Sequence, residues 1–138
     1  MRKPNSPIIL KSNLTTNYSP TTSFADIGIE IVIPEDGVYL LTGKISARAY
    51  HTTSTSNNVS AVIAVNGNII PTSGGYNDFI GDANAQRMIA SIPIGSIEYL
   101  KKGDVVTVQG KGLQSNCDIY ATVPSNGQAS VLEAVKIG

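Results

Sequence analysis

The sequence predicts an all-β protein folded as an antiparallel β-sandwich, and three observations support this prediction. Apolar residues recur at every second position in several segments, which is the pattern of strands with one buried face. Gly, Pro and Asn turn signals separate these segments at the spacing expected for about eight to ten strands of a sandwich. Charged residues make up only 14% of the chain, below the usual ~25%, and no segment has convincing helical periodicity.

The strongest strand signal runs from Ile27 to Tyr50 and is interrupted by the turn sequence Pro34-Glu35-Asp36-Gly37. Pro34 presets φ for the first corner and Asp36-Gly37 can supply positive φ at the exit, so we expect a hairpin of two strands. Before the turn, every second residue is an isoleucine, at Ile27, Ile29, Ile31 and Ile33. After the turn, the corresponding set is Tyr39, Leu41, Gly43, Ile45, Ala47 and Ala49. This set is predicted to face the core, because the opposite set includes Lys44 and Arg48, which are costly to bury unpaired.

The chain of 138 residues is predicted to be a single domain overall. Residues 1–23 are expected to form an N-terminal arm and a first strand, at Ile8–Leu10, and residues 24–138 the sandwich domain. The strand Val59–Val65 runs into Asn66-Gly67, the strongest hairpin signal in the chain.

The second half of the chain begins with the longest irregular segment, Thr72–Gln86, and one helical turn is allowed at Ala83–Met88. Pro93 is expected to place the end of a strand at an edge or a bulge. Turns are predicted at Lys101–Asp104 and Pro124–Gly127, and strands at Arg87–Ile94, Asp104–Gln109, Cys117–Val123 and Ala129–Ile137. The predicted core includes Tyr39, Leu41, Ile45, Val106 and Val108, because each lies on the apolar set of an alternating strand.

Composition argues against several classes of partner. The formal net charge is zero, so the chain lacks the electrostatic footprint of a protein that binds nucleic acid or an anionic membrane. No stretch approaches the ~20 apolar residues of a membrane span or the apolar run of a signal peptide. We therefore expect a soluble protein made in a cytosol. The lone Cys117 is expected to be a buried, inert thiol.

No strong motif for catalysis, a cofactor or a metal is present. With one His and one Cys, a zinc cluster is nearly excluded. Asp78 and Asp82 share one loop, but two carboxylates fall short of the ligand number that calcium requires. His51 is the one candidate base, and its Ser and Thr neighbours are unavoidable in such a polar loop. We therefore expect no catalytic residue, no cofactor and no metal, and a small enzyme stays open only as a third alternative.

Three motifs follow one another in a recognisable order. They are Gly37-Val38-Tyr39-Leu40-Leu41 after Ile33-Pro34, then Val65-Asn66-Gly67, then Tyr99-Leu100-Lys101-Lys102-Gly103-Asp104-Val105-Val106. In this order they resemble the signatures of the jelly roll in the superfamily of tumour necrosis factor and the complement globular heads. Ser130 to Ile137 occupies the place of the family's final strand, although it is aliphatic where the family usually has aromatic residues. The resemblance spans residues 24 to 137 and implies a TNF-like jelly roll that assembles as a homotrimer.

The resemblance and the weakly charged, Asn/Ser/Thr-rich composition favour a non-enzymatic structural protein of a bacteriophage virion. Similar folds in phages and bacteria form surface, fibre and virion appendage modules, which implies a head fibre, a capsid decoration or a tail appendage. The expected partners are further copies of the chain, other virion proteins and a host surface glycan. The alternative is the globular head of a bacterial surface or secreted ligand or lectin-like protein, located at the bacterial cell surface.

The candidate trimer interface lies on the outward set of the long strand. This set begins apolar at Val38 and Leu40 and becomes polar at Thr42, Lys44, Ser46 and Arg48. Tyr120, opposite in phase to Ile119 and Ala121, is the aromatic candidate to join Val38 and Leu40, because Tyr is favoured at interfaces. Two exposed apolar residues also occur without any partner, so that alternative stays open.

The candidate ligand-binding residues lie in two long polar stretches, His51–Asn58 and Thr72–Gln86. Both are predicted to be exposed tips, because binding residues concentrate on loops held by a rigid scaffold. The candidates are His51, Thr52, Asn57, Tyr76, Asn77 and Asp78.

Overall fold

Ten β-strands and one short 3-10 helix make up the described part of the chain. The computed structural model describes residues 7–51, 57–79, 86–113, 117–121 and 129–138. The strands are β1 (Ile9–Asn13), β2 (Ala25–Val32), β3 (Gly37–His51), β4 (Asn57–Val65), β5 (Asn68–Ile69), β6 (Gly75–Phe79), β7 (Gln86–Leu100), β8 (Val105–Gly112), β9 (Cys117–Ile119) and β10 (Val131–Lys136). The 3-10 helix is Pro71–Ser73. The prediction of an all-β protein is confirmed.

The strands form two antiparallel sheets of five strands each, packed as a sandwich. Sheet A has the order β1-β10-β3-β7, with β9 also paired to β3, and sheet B has the order β2-β8-β4-β5, with β6 also paired to β4. The chain passes from one sheet to the other after β1, β2, β3, β6, β7 and β8. This alternation winds the chain as a jelly roll, and the predicted antiparallel β-sandwich is confirmed.

The stretch from Ile27 to Tyr50 forms two strands, but the predicted hairpin between them is wrong. β2 pairs with β8 in sheet B, whereas β3 pairs with β7 and β10 in sheet A. The turn at Pro34 to Gly37 therefore carries the chain across the sandwich. Gly37 is not among the residues with positive φ. A glycine is needed there for close approach instead, because a Cβ would lie 2.6 Å from the carbonyl oxygen of Gly138.

The predicted inward faces are confirmed wherever their side chains are described, and they form the core between the two sheets. The side chain of Ala49 lies outside the described residues. The four isoleucines before the turn are each at most 5% exposed. The five predicted core residues, Tyr39, Leu41, Ile45, Val106 and Val108, are all 0% exposed. The Tyr39 hydroxyl donates a hydrogen bond to the carbonyl oxygen of Glu35 at 2.8 Å. The one polar atom of this core side chain is therefore satisfied.

Several predicted boundaries are wrong, because strand pairing extends further than the local pattern indicates. β6 forms against β4 within the segment predicted to be irregular. β7 continues through Pro93 as one strand. The proline is tolerated because β7 is an edge strand of sheet A, so its missing N–H leaves no partner strand unpaired. Residues 86–88 pair with β3 and do not form a helical turn. Residues 83–85 and the predicted turn at 124–127 lie outside the described residues.

Ser46 belongs to the predicted outward set of β3 but is only 1% exposed. Its backbone N–H donates to the side-chain oxygen of Ser130 at 3.0 Å. Its carbonyl oxygen accepts a hydrogen bond from the backbone N–H of Tyr120 at 2.8 Å. These contacts bring the segments after β9 and before β10 against the middle of β3. Within the outward set of β3, Ser46 is therefore buried while Thr42 is exposed and the other members are half-buried.

Two predicted turns are confirmed. Asn66 and Gly67 join β4 to β5 with φ values of 51° and 82°, as the positive φ values of a type I′ hairpin turn require. Gly103, in the turn between β7 and β8, has a φ of 91°, a conformation that favours glycine.

Three turns meet at the end of the sandwich where β3 begins, and we call this contact the turn cluster. The Asp104 carboxylate accepts hydrogen bonds from the backbone N–H of Lys101 at 2.8 Å and from the Asn66 side-chain amide at 3.0 Å. The backbone N–H of Lys102 donates to the Asp36 carboxylate at 2.8 Å. The hydrogen bonds from Lys101 and then Asn66 lower the pKa of Asp104 from its ordinary value. Ile33 of the first motif also exchanges backbone hydrogen bonds with Gly103 and Asp104, so all three sequence motifs supply residues that join one turn to another.

Candidate functional site

A groove on the outer face of sheet B is built from one row of residues across three strands. In the sheet register, Ser60 of β4 lies opposite Tyr76 of β6 on one side and opposite Lys111 of β8 on the other. Residues directly opposite each other share a face of the sheet, so these three side chains form a row. The groove has a volume of ≈ 390 Å³ and is lined by Thr22, Asn58, Ser60, Tyr76, Lys111, Gly112 and Leu113.

This groove combines apolar surface with groups that form hydrogen bonds. Tyr76 is 63% exposed and Leu113 is 53% exposed. The Lys111 ammonium lies 4.8 Å from the centre of the Phe24 ring, in a cation–π contact. No carboxylate is among the described lining residues, so their formal charge comes from Lys111. The arrangement can stack against a flat apolar face, hydrogen-bond to hydroxyl groups and attract an anion.

A second surface lies on the outer face of sheet A, where a row of aliphatic residues crosses all four strands of the main path. Leu40 of β3 lies opposite Ile97 of β7 and, on its other side, opposite Val135 of β10. Val135 in turn lies opposite Ile9 of β1. Four neighbouring strands therefore present aliphatic side chains side by side.

A second row extends this surface toward the turn cluster. Val38 lies opposite Tyr99 of β7, and its carbonyl oxygen accepts a hydrogen bond from the backbone N–H of Ile137 at 2.8 Å. We call the two rows together the apolar patch, which consists of Ile9, Val38, Leu40, Ile97, Tyr99, Val135 and Ile137. Four members are more than half exposed, namely Ile9, Ile97, Tyr99 and Ile137, and the other three are half-buried. Contiguous apolar residues of this kind mark interaction surfaces, whereas single exposed ones do not.

A polar row borders the apolar patch. Thr42 of β3 lies opposite Glu133 of β10, which lies opposite Lys11 of β1. Lys11 and Glu133 carry opposite charges on adjacent strands. An apolar centre with a polar rim is the usual composition of a protein–protein interface.

The groove and the apolar patch lie on opposite faces and toward opposite ends of the sandwich. Val38 follows the first residue of β3, at the turn cluster. Lys111 lies near the end of β8, and the start of β8, at Val105, adjoins the turn cluster. A partner seated on the apolar patch would therefore leave the groove open.

The three residues predicted for a trimer interface have different environments. Val38 and Leu40 lie at the centre of the apolar patch. Tyr120 is only 5% exposed, and the Arg48 guanidinium lies 5.2 Å from the centre of its ring. Arg48 also pairs with Asp118, the residue opposite it on β9. Tyr120 is thus already covered within its own chain and offers little surface to a neighbour.

The predicted ligand-binding residues are only partly brought together. Tyr76 lines the groove, on strand β6 rather than on a loop. Asn57 is 1% exposed and is the first residue of β4, not part of an exposed loop. The backbones of His51, Asn77 and Asp78 lie in β3 and β6. Their side chains, and the whole of Thr52, lie outside the described residues.

The described residues contain no group of three or more His, Cys, Asp or Glu that could hold a metal ion. None of the helices described is long and apolar enough to span a membrane. Cys117 is 3% exposed, and burial raises the pKa of its thiol, with a smaller contribution from the adjacent Asp118 carboxylate. The predicted burial of this thiol is confirmed.

The chain matches no family model and no curated protein.

The sequence does not indicate several residues of both surfaces, because strand register brings them together from distant segments of the chain. Ser60, Lys111 and Phe24 belong to three separate parts of the chain and carry no shared motif. A signal did exist for the apolar patch. Ile97 and Tyr99 alternate with Glu98 and Leu100, and two large apolar residues on the face opposite a buried leucine are candidates for an interaction surface.

Proposed function

We propose that this protein is a non-enzymatic structural module that assembles with copies of itself through the apolar patch. The observation that carries the proposal is the row formed by Ile9, Val135, Leu40 and Ile97 across four strands. A closed assembly that buries this row gains roughly 25 cal/mol of favourable free energy for each Å² of apolar surface removed from water. The polar row at Lys11, Glu133 and Thr42 then forms the rim of the contact.

The proposed assembly is a homotrimer. Its three-fold symmetry comes from the resemblance to the jelly roll of tumour necrosis factor and the complement globular heads. The strand order supports that resemblance, because the chain passes repeatedly between two antiparallel sheets. The three motifs that carry the resemblance also meet in one turn cluster, next to the apolar patch.

The proposed location is a bacteriophage virion, as a head fibre, a capsid decoration or a tail appendage. The support is the resemblance together with the low charge content of 14%. The experiment is to label virions with an antibody against the purified protein and to locate the label by electron microscopy. Regularly spaced label on heads or tails is the expected result, and unlabelled virions from a stock that contains the protein would overturn this location.

A globular head on a bacterial surface is the second candidate, and the groove of sheet B favours it. An exposed tyrosine beside hydroxyl, amide and ammonium groups suits a lectin-like protein. The same antibody distinguishes the two candidates. Label on intact cells grown without phage supports the bacterial head, and label confined to particles supports the virion protein.

A further inference from the structure

We propose that the groove on the outer face of sheet B binds a saccharide that carries a carboxylate. This inference deepens the proposed function, because it rests on the expectation of a surface glycan that the virion protein and the lectin-like bacterial head share. It assigns the site to residues that no motif indicates. The site consists of Tyr76, Ser60 and Lys111 in one row, with Thr22 and Asn58 beside them.

The first argument is the exposure of Tyr76. Tyr76 is 63% exposed at the β6 end of the row, although an aromatic side chain contributes most when its ring is covered. A pyranose ring has one face of C–H groups that can cover such a ring, and it carries hydroxyls that need hydrogen-bond partners. Ser60 lies directly beside Tyr76 and supplies a hydroxyl, which both donates and accepts.

The second argument is charge. Lys111 is the one charged residue among the described lining residues. Its ammonium lies 4.8 Å from the centre of the Phe24 ring, which attracts the ammonium but accepts no N–H hydrogen bond of ordinary strength. No carboxylate of the described residues pairs with Lys111. An incoming carboxylate would therefore gain a charge-assisted hydrogen bond, which is about twice as strong as a neutral one.

The third argument is spacing. Tyr76 and Lys111 are separated by one intervening strand, and adjacent strands lie about 4.8 Å apart, so the two positions are about 10 Å apart. Two linked sugar rings span such a distance. One ring can lie over Tyr76 while the acidic substituent of its neighbour reaches Lys111, with Ser60 between them. This geometry indicates a disaccharide unit rather than an isolated small anion.

Isothermal titration of the purified protein tests the proposal with defined probes. The acidic probes are sialyllactose and a hyaluronan tetrasaccharide, the neutral probes are lactose and maltotetraose, and acetate serves as the free anion. We expect one acidic probe to bind about tenfold more tightly than any neutral probe, and to bind more weakly as salt is added. The proposal would be overturned if both acidic probes failed to saturate the protein at concentrations below about 10 mM. Acetate binding as tightly as both acidic probes would overturn the saccharide part of it.

Variants then assign the binding to the groove. Tyr76→Ala is expected to weaken binding of the better acidic probe about tenfold, whereas Tyr76→Phe keeps the ring and most of the affinity. Lys111→Gln is expected to reduce the affinity to that of the neutral probes and to abolish the dependence on salt. Lys102→Gln removes the same charge from the turn before β8, at the far end of that strand, and should change nothing. Equal losses in Lys102→Gln and Lys111→Gln would contradict the assignment.

The same samples separate this inference from the proposed function. Circular dichroism checks that each variant is folded, and sedimentation reports its assembly. A groove variant that loses binding and keeps the assembly of the parent supports the site alone. If the parent is monomeric and still binds the acidic probe, the assembly proposal fails while the groove proposal stands.

Discussion

Leu40 of β3 lies directly opposite Ile97 of β7 on the outer face of sheet A, with Ile97 62% exposed. Both strands already bury their other face in the core, where Leu41 and Leu100 are at most 3% exposed. An outward pair of this kind adds nothing to the interior of the sandwich. The pair continues across β10 and β1 as one aliphatic row, and in the proposed assembly another copy of the chain covers it.

Leu41 provides a test of the inward face of β3. Its side chain is 0% exposed between the two sheets, so truncation leaves a cavity. We expect Leu41→Ala to lower the free energy of unfolding by about 2–5 kcal/mol. Urea unfolding measures the change, and Thr42→Ala, at the exposed neighbouring position, is the matched control. Equal midpoints for Leu41→Ala and the parent protein would show that this face is not buried.

Gly43 provides a test of how closely β3 approaches its neighbours. A Cβ at this position would lie 2.6 Å from the carbonyl oxygen of Val131 and 2.9 Å from a side-chain carbon of Ile94. We expect Gly43→Ala to destabilise the fold by about 1–3 kcal/mol through overpacking. At Gly75 the nearest atom to an added Cβ is 3.4 Å away, so Gly75→Ala is the control. If the two variants unfold at the same urea concentration, β3 does not approach Val131 and Ile94 as closely at Gly43 as these distances require.

The sequence predicts which face of a strand is buried better than it predicts which other strand it pairs with. Alternation within one segment identified the buried sides of β2, β3 and β8, because a strand places successive side chains on opposite faces. The partner of each strand was not predictable in the same way. The turn at Pro34 to Gly37 has residues that suit a hairpin and equally suit a crossing between sheets. Only the pairing of β2 with β8 distinguishes the two.

The candidate sites also show that contacts between distant segments are not predictable from the sequence. Val38 and Leu40 were found because they break the polar pattern of their own strand. Lys111 was not found, because its importance depends on Ser60 and Tyr76 lying beside it after folding. Tyr120 has the right residue type for an interface, but Arg48 covers its ring from a strand about seventy residues earlier. Such long-range contacts leave no local trace in the sequence.

Asp104 should make the stability of the turn cluster depend on pH. Hydrogen bonds from Lys101 and Asn66 lower the pKa of its carboxyl in the folded state below the ordinary 3.8. The stabilisation is therefore fully present above the unfolded-state pKa and is lost as the pH falls through the folded-state pKa. We expect Asp104→Asn to be less stable than the parent at neutral pH, with the difference shrinking in acid. Urea midpoints measured between pH 7 and about 2 give the difference, and a difference that stays constant with pH would exclude this role.

Cys117 should be protected from alkylation in the folded protein. Its thiol is buried and its pKa is raised, so little thiolate is available at pH 8. We expect iodoacetamide to label the native protein at least about tenfold more slowly than the urea-unfolded protein. Mass spectrometry of timed samples measures both rates. Native and unfolded protein reacting at the same rate would contradict the burial of this residue.

Assembly through the apolar patch is tested most directly by sedimentation equilibrium of the parent protein and of Leu40→Asp. A carboxylate at Leu40 would be buried in the contact and would face apolar groups and its own copies. Ile69→Asp makes the same type of change on β5 in sheet B, at a residue that is 37% exposed and outside the patch. The expected result is a trimer for the parent and for Ile69→Asp, and a folded monomer for Leu40→Asp. A trimer that persists in Leu40→Asp would contradict the role of the patch, and a monomeric parent protein would contradict the assembly itself.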